Sequence, residues 1–183
     1  MDSKHVVVVD MGGVMYSFSH QFNQIEHEQA FNVNVKWHGG KISELQSEFL
    51  GVKKFFSGEI GAGVLPVYFV SKAFLVLSEN AKKFQIVVAS TSLVETSRLI
   101  LERGFSSVGV ASSTVDSFAI YNMAEFGSKK ESKSWEKILR RYRDIDVIID
   151  DSDINLQAAG KAVQKLGRNT QLLSSMDAFR PRT

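Results

Sequence analysis

The sequence predicts an α/β fold: a parallel sheet of about five strands flanked by helices, with an insertion packed beside the sheet. Several short apolar runs are rich in Val or Ile and are bounded by turn or charged residues, a pattern typical of strands that are covered on both faces. The later runs alternate with helix-like segments, which implies right-handed crossovers and parallel strands. The chain has 183 residues, of which 44% are hydrophobic, enough for one domain that carries a small insertion.

The individual elements follow from these patterns. Strands are predicted at residues 5–9, 84–89, 107–110, 146–149 and 170–173. Helices are predicted at residues 95–103, 133–142 and 155–166. The first of these helices is followed by Gly104 and the last by Gly167, and glycine commonly ends a helix.

The segment from residue 15 to residue 83 breaks the alternation and is too long for one crossover. It contains two helix-like pieces, at residues 42–56 and 66–82. We therefore expect residues 15–83 to form an inserted, mainly helical unit, and residues 1–14 and 84–183 to form the core.

Composition excludes several classes of protein. The 22 basic and 20 acidic residues give a net charge of +2, so nothing requires nucleic acid or an anionic membrane as a partner. The absence of Cys excludes disulfides, thiolate nucleophiles and Cys-ligated metals. The most apolar stretch, residues 64–77, falls short of the ~20 residues that span a bilayer. With no signal-peptide pattern at the N-terminus, we expect a cytoplasmic protein.

Polar side chains follow the predicted strands where each strand ends. Asp10 follows the first strand, Ser90 follows the second, and Asp150 and Asp151 follow the fourth, while a lysine-rich turn at residues 127–133 opens a helix. Open parallel sheets place their ligand sites at this edge. Asp10 alone would more often be a turn residue and Ser90 alone a helix cap, but two adjacent acids after an apolar run carry a real electrostatic cost.

This combination of residue types suits phosphoryl chemistry. Crowded carboxylates repel one another, and Mg²⁺, a hard cation that prefers oxygen ligands, relieves that repulsion. A lysine and a hydroxyl can hold phosphate oxygens, and a positioned Asp can attack phosphorus.

Four stretches together resemble the motifs of the haloacid dehalogenase-like (HAD) hydrolase superfamily. They are VVVVDMGGV, IVVASTS, a lysine before a helix, and VIIDDSDINLQAA, and they span the chain from about residue 6 to residue 159. The resemblance implies a Rossmann-like sheet with a small cap inserted after the first motif, and a Mg²⁺-dependent phosphatase that hydrolyses a small phosphorylated metabolite through an aspartyl-phosphate.

The resemblance also implies roles for individual residues. Asp10 would be the nucleophile and a metal ligand, and Gly12 would offer its backbone carbonyl to the metal. Asp151 would be the main acidic ligand of the last motif, with Asp150 beside it and Asn155 in support.

The remaining implied roles concern phosphate. Ser90 and Thr91 would bind it, together with Met11 and Gly12 after the nucleophile, and a lysine would bridge phosphate and nucleophile. That lysine is Lys130 or Lys133, which the sequence does not separate, with Lys129 as a weaker third candidate.

Gly12 is a departure from the motif, because active phosphatases of this superfamily usually carry a second Asp there as general acid. Glycine keeps the backbone ligand but cannot transfer a proton, a loss that typically costs ~10²–10⁴-fold in rate. Two alternatives therefore stay open: a catalytically weak or inactive HAD-fold binding module, and a dehalogenase or phosphonatase. The sequence names neither the substrate nor the oligomeric state.

Overall fold

The computed structural model of the chain describes residues 5–17, 28–33, 65–92 and 94–179. In chain order its strands are β1 (Val6–Val9), β2 (Tyr16–Ser17), β3 (Glu28–Val33), β4 (Leu65–Phe69), β5 (Gln85–Ser90), β6 (Ala119–Asn122), β7 (Ile145–Ile149) and β8 (Gln171–Leu173). Its α-helices are α1 (Ser71–Asn80), α2 (Val94–Ser107), α3 (Ser132–Arg141) and α4 (Asp153–Lys165). Within these described residues, no helix is both long and apolar enough to cross a membrane.

Five of the strands form one parallel sheet in the order β6-β5-β1-β7-β8. The predicted α/β class and the sheet of about five parallel strands are therefore confirmed. The strands β2, β4 and β3 form a second, antiparallel sheet in that order.

The central strand β1 is buried on both faces, because its four valines alternate between two clusters of apolar side chains. Val7 and Val9 belong to the cluster that contains side chains of α1 and α2, such as Phe74. Val6 and Val8 belong to the cluster that contains side chains of α3 and α4. Helices thus cover both faces of the sheet, which explains the unbroken apolar runs of its strands.

The strand predicted at residues 107–110 is wrong, because the preceding helix does not end at Gly104. Helix α2 continues to Ser107, and the edge position of the sheet is taken by β6 instead. Gly104 lies within α2, where a Cβ would overlap the ring of Phe74. The glycine is thus required for close helix packing and does not end the helix.

The described part of the insertion contains more strand than the sequence indicated. Residues 66–69, predicted as the start of a helix, belong to β4, and the helix begins at Ser71. Three side chains of this helix, Ala73, Phe74 and Leu77, are buried in the same cluster as the sheet. The helix predicted at residues 42–56 lies outside the described residues, so the division of the chain at residues 15–83 stays a prediction.

The packing of Gly104 predicts a reversal of the usual effect of Gly-to-Ala changes in helices. Gly104→Ala should lower the free energy of unfolding by roughly 1–3 kcal/mol, because the new methyl group overpacks against Phe74. Helix propensity alone would raise the stability by roughly 1 kcal/mol. Urea unfolding at pH 7 measures the difference.

Gly160→Ala in α4 is the matched control for this change. The nearest atom to its Cβ would be the flexible end of Leu172, at 3.2 Å, so this variant should be neutral or slightly stabilised. If both variants gained stability equally, the packing role of Gly104 would be contradicted.

Candidate functional site

Three carboxylates meet where two neighbouring strands end. Asp10 follows β1, and Asp150 and Asp151 follow β7. The two strands are parallel partners, with Val9 opposite Ile149, and the Asp10 amide donates to the Ile149 carbonyl at 2.8 Å. The register of the sheet therefore brings the first and last predicted motifs to one edge.

A buried lysine lies between two of these acids. The Nζ atom of Lys129 is 2.7 Å from Oδ1 of Asp10 and 3.0 Å from Oδ2 of Asp150, and the Lys129 side chain is only 4% exposed. The backbone of Lys129 is held as well, since its carbonyl accepts a hydrogen bond of 2.7 Å from the indole Nε1 of Trp135. Trp135 is itself a buried residue of α3, so packing of the core fixes the backbone from which the Lys129 side chain extends.

Asp150 is fully buried and its two oxygens both accept hydrogen bonds. Oδ2 faces Lys129, while Oδ1 accepts from the Ser152 amide and from Nδ2 of Asn155, each at 3.0 Å. The structure thus places Asn155, predicted as a supporting residue, directly on Asp150. These three donors fix the orientation of the Asp150 carboxylate.

Asp151 is the outer member of the set and is exposed. It lies against the turn after β1, where Gly13 has a φ of +79° and where any Cβ would overlap the Asp151 carboxylate. One oxygen each from Asp10, Asp150 and Asp151 lie within 4.8 Å of one another. Three hard oxygen donors at this separation fit a divalent cation such as Mg²⁺.

The electrostatics of the site also suit a cation. Burial raises the pKa of Asp10 to about 6, and the Asp150 carboxylate adds to this effect while Lys129 opposes it. Burial and the neighbouring Asp150 also raise the pKa of Asp151. At Asp10 and Asp151, burial and the neighbouring acid thus oppose the charged form, and a divalent cation would favour it.

The predicted phosphate-binding residues surround the same edge. Ser90 ends β5, the other neighbour of β1, and its buried Oγ accepts a hydrogen bond of 3.1 Å from the Ser92 amide. Thr91 is exposed. The Met11 amide donates to Oδ1 of Asp10 at 2.7 Å, so it holds the carboxylate in this structure. At Gly12, chain neighbours aside, no heavy atom of the described residues lies within 4 Å of where a Cβ would be.

The structure does not bring Lys130 or Lys133 to the carboxylates. Both side chains are exposed, and among the described residues neither forms an ion pair. The lysine that contacts Asp10 is Lys129, the weakest of the three candidates by sequence. The signal that could have singled it out is Trp135, whose indole holds the Lys129 backbone.

Comparisons with known proteins identify the fold. No family model matches the chain, and no curated protein matches it. Among solved structures, it is similar to the HAD domain of the effector protein Lem4 from Legionella pneumophila, with 13% identity and a TM-score of 0.53 over 92% of this chain and 83% of that chain. It is also similar to a HAD family enzyme from Bacteroides thetaiotaomicron, with 15% identity and a TM-score of 0.52 over 97% of this chain and 96% of that chain.

The Bacteroides structure is of an aspartate-to-alanine mutant in complex with magnesium and inorganic phosphate. At these identities the likeness shows the fold. The chain has the HAD-like hydrolase fold over most of its length, as the sequence motifs predicted.

The position of Lys129 predicts a large effect on stability. Lys129→Met should lower the free energy of unfolding by about 3 kcal/mol in EDTA at pH 7, because it leaves Asp10 and the fully buried Asp150 without their shared cation. Urea unfolding followed by circular dichroism measures the change.

Lys130→Met is the control for this substitution. It removes the same charge from the next residue, whose side chain is exposed, and should change stability by no more than about 0.5 kcal/mol. Equal effects of the two changes would show that Lys129 is not an essential partner of the buried acids.

Proposed function

We propose that the protein is a Mg²⁺-dependent phosphohydrolase that acts on a small phosphorylated molecule through an aspartyl-phosphate on Asp10. One observation carries this proposal: Lys129 contacts both Asp10 and Asp150, and Asp151 lies within metal-sharing distance of both acids. Phosphoryl transfer to a carboxylate requires a nucleophile, a fixed positive charge such as this ammonium group, and a set of oxygen ligands for a metal.

The residues that would hold Mg²⁺ are Asp10, Asp151 and the backbone carbonyl of Gly12, with Asp150 beside them. When bound, the cation would neutralise charge on the phosphoryl oxygens and orient them. Asp150 already accepts three hydrogen bonds, so in the proposal it mainly holds Lys129, and Asp151 has more freedom to bind metal. The similar Bacteroides enzyme, whose structure contains magnesium and phosphate, supports this choice of cation.

Asp10 is held in a way that suits attack. Both the Met11 amide and Lys129 contact its Oδ1, so the orientation of the carboxylate is fixed, and the proposal assigns the attack to Oδ2. In the proposed first step, Oδ2 forms a bond to phosphorus and the bond from phosphorus to the leaving oxygen breaks. In the second step, water attacks phosphorus, and the bond from phosphorus to Asp10 breaks to release inorganic phosphate.

The remaining parts would position the phosphoryl group. Lys129, already between the two acids, would contact a phosphoryl oxygen as the substrate binds. The Ser90 hydroxyl and the amides that follow Ser90 and Asp10 would donate to the other oxygens. Since Gly12 has no acidic side chain, the leaving oxygen would take its proton from water, which favours substrates with good leaving groups.

The carboxylate cluster also separates this proposal from the dehalogenase alternative. Gly12 suits a dehalogenase, but a dehalogenase needs no metal. The pKa values of Asp10 and Asp151 are raised and Asp150 is held by hydrogen bonds, and a cluster of three such acids suits a cation site. Turnover of an aryl phosphate that stops in EDTA supports the phosphatase. Halide release that persists in EDTA supports the dehalogenase.

Substitution of the nucleophile tests the proposal directly. Asp10→Asn should lower kcat for p-nitrophenyl phosphate with Mg²⁺ by at least about 10³-fold, because an amide cannot form the phosphoenzyme. An aryl phosphate is the appropriate probe since its leaving group hardly needs an acid. Circular dichroism should show that the variant keeps its fold.

Asp153→Asn is the matched control, because Asp153 is an exposed acid at the start of α4, two residues beyond Asp151. It should keep kcat within about twofold, in line with its distance from the proposed reaction. Turnover that survives in Asp10→Asn would contradict the assignment of the nucleophile. A wild-type protein that binds Mg²⁺ without turnover on any phosphate would point to the binding-module alternative.

The open space at Gly12 predicts that a general acid can be restored. Gly12→Asp should raise kcat for an alkyl phosphate by about 10²-fold, because the new carboxyl can protonate a poor leaving group. The rate for p-nitrophenyl phosphate should change little.

Gly12→Asn is nearly the same size as Gly12→Asp and carries no acidic proton, so it serves as the control. Steady-state kinetics on both substrates give the comparison. An equal gain with Asn, or no gain with Asp on the alkyl phosphate, would show that proton transfer does not limit the reaction.

A further inference from the structure

A pocket of about 480 Å³ lies between the start of α3 and the outer face of α4. From the α3 side it is lined by Lys130 and Lys133, and from α4 by Ile154, Gln157 and Lys161. The α4 residues lie three and four positions apart, so they share one face of that helix. None of the three carboxylates of the site described above lines this pocket.

The pocket carries an excess of positive charge that the described residues do not neutralise. Its three lysines face one acidic residue, Glu131, for a net charge of +2. In the described part of the chain, the side chains of Lys130, Lys133 and Lys161 form no ion pair and no hydrogen bond, and the contact of Lys130 with Ser128 is through its backbone amide.

Other lysines on the same two helices have partners. Lys137 on α3 donates to the Phe126 carbonyl at 2.8 Å, and Lys165 on α4 pairs with Glu136 at 2.9 Å. Among the lysines of these two helices and their leading loop, those without a partner in the described part of the chain thus all line the pocket. Clefts lined by one sign of charge focus the field and attract ions of the opposite sign.

The lining specifies the kind of ligand. Lysine ammonium groups bind phosphate oxygens as point charges, and two or three of them around one pocket suit an anion with at least two negative charges. Ile154 is 56% exposed at the pocket wall, which offers apolar contact to a carbon skeleton attached to such an anion.

The pocket is next to the proposed reaction centre. Lys130 directly follows Lys129, and Ile154 is three residues after Asp151, a distance of at most roughly 11 Å along the chain. A molecule of the size of a sugar bisphosphate could therefore reach both places.

We propose that this pocket binds a phosphate-type anion of at least two charges, supplied either by the distal phosphate of the substrate or by a separate effector. The binding claim does not depend on turnover. The assignment of the source rests on the proposed phosphatase function.

Binding is tested by calorimetry with inorganic pyrophosphate as the probe, in EDTA and low salt, so that no metal contributes. The wild type should bind pyrophosphate, and Lys133→Met/Lys161→Met should bind it at least about tenfold more weakly. The matched control is Lys82→Met/Lys83→Met, which removes the same charge from two exposed lysines outside the pocket and should keep the wild-type affinity. Equal affinities in all three proteins, or no binding by the wild type, would overturn the proposal.

Kinetics with Mg²⁺ then distinguish the two sources. If the distal phosphate of the substrate occupies the pocket, KM for a sugar bisphosphate should rise about tenfold in Lys133→Met/Lys161→Met, while KM for the monophosphate stays unchanged. If an effector occupies it, pyrophosphate should change kcat for the monophosphate in the wild type but not in the variant. Binding with neither effect would contradict both sources. A protein that binds pyrophosphate in the pocket but turns over no phosphate would contradict the phosphatase function alone.

Discussion

The candidate site depends on one buried ammonium group. The sheet register places Asp10 and Asp150 at neighbouring strand ends, where burial and the Asp150 carboxylate both raise the pKa of Asp10. Lys129 lies between the two acids, and its positive charge opposes this rise in the pKa of Asp10. Its own position depends on the core, because the indole of Trp135, a buried residue of α3, packs in the core and donates to the Lys129 carbonyl. Packing on one face of the sheet is therefore physically linked to electrostatics at its edge.

The two adjacent acids after β7 differ because of their surroundings. Asp150 is fully buried and both of its oxygens accept hydrogen bonds, so it acts as a fixed anion against which Lys129 and Asn155 are positioned. Asp151 is exposed and lies against a turn whose glycine leaves no room for a side chain. One acid is thus held rigidly by protein donors, while the other is available to a ligand. The two aspartates thus serve different purposes, and the difference follows from the burial of Asp150 and the exposure of Asp151.

The sequence predicted the strands whose residues form short apolar runs. Four of the five predicted strands match strands of the sheet to within one residue, and in three of them, β1, β5 and β7, the apolar run is almost entirely buried. The strand β6 was missed because its four residues, AIYN, are all only partly buried and do not form an unbroken apolar run. Gly104 misled for a different reason: a glycine that ends a helix and a glycine that admits a neighbouring ring look the same in sequence. At the site, Asp10, Asp150 and Asp151 follow strands and Ser90 ends one, so the sequence pattern points to their positions. Lys129 lies in a loop, where the residue spacing does not indicate which side chain turns inward.

Gly12 and the basic pocket can be considered together in the proposed mechanism. A missing general acid typically costs ~10²–10⁴-fold in rate, which corresponds to roughly 3–5 kcal/mol. A hydrogen bond between a charged group and its partner contributes roughly 1.5–3 kcal/mol. Two lysines that hold the distal end of a substrate would therefore supply binding energy of the same order as the contribution of the missing general acid. This binding energy raises the rate only where it stabilises the transition state more than the bound substrate. Such a protein would discriminate strongly against small monophosphates. Its best substrate would carry a second negative charge at the end opposite the phosphoryl group that is transferred, and the pocket would recognise that charge.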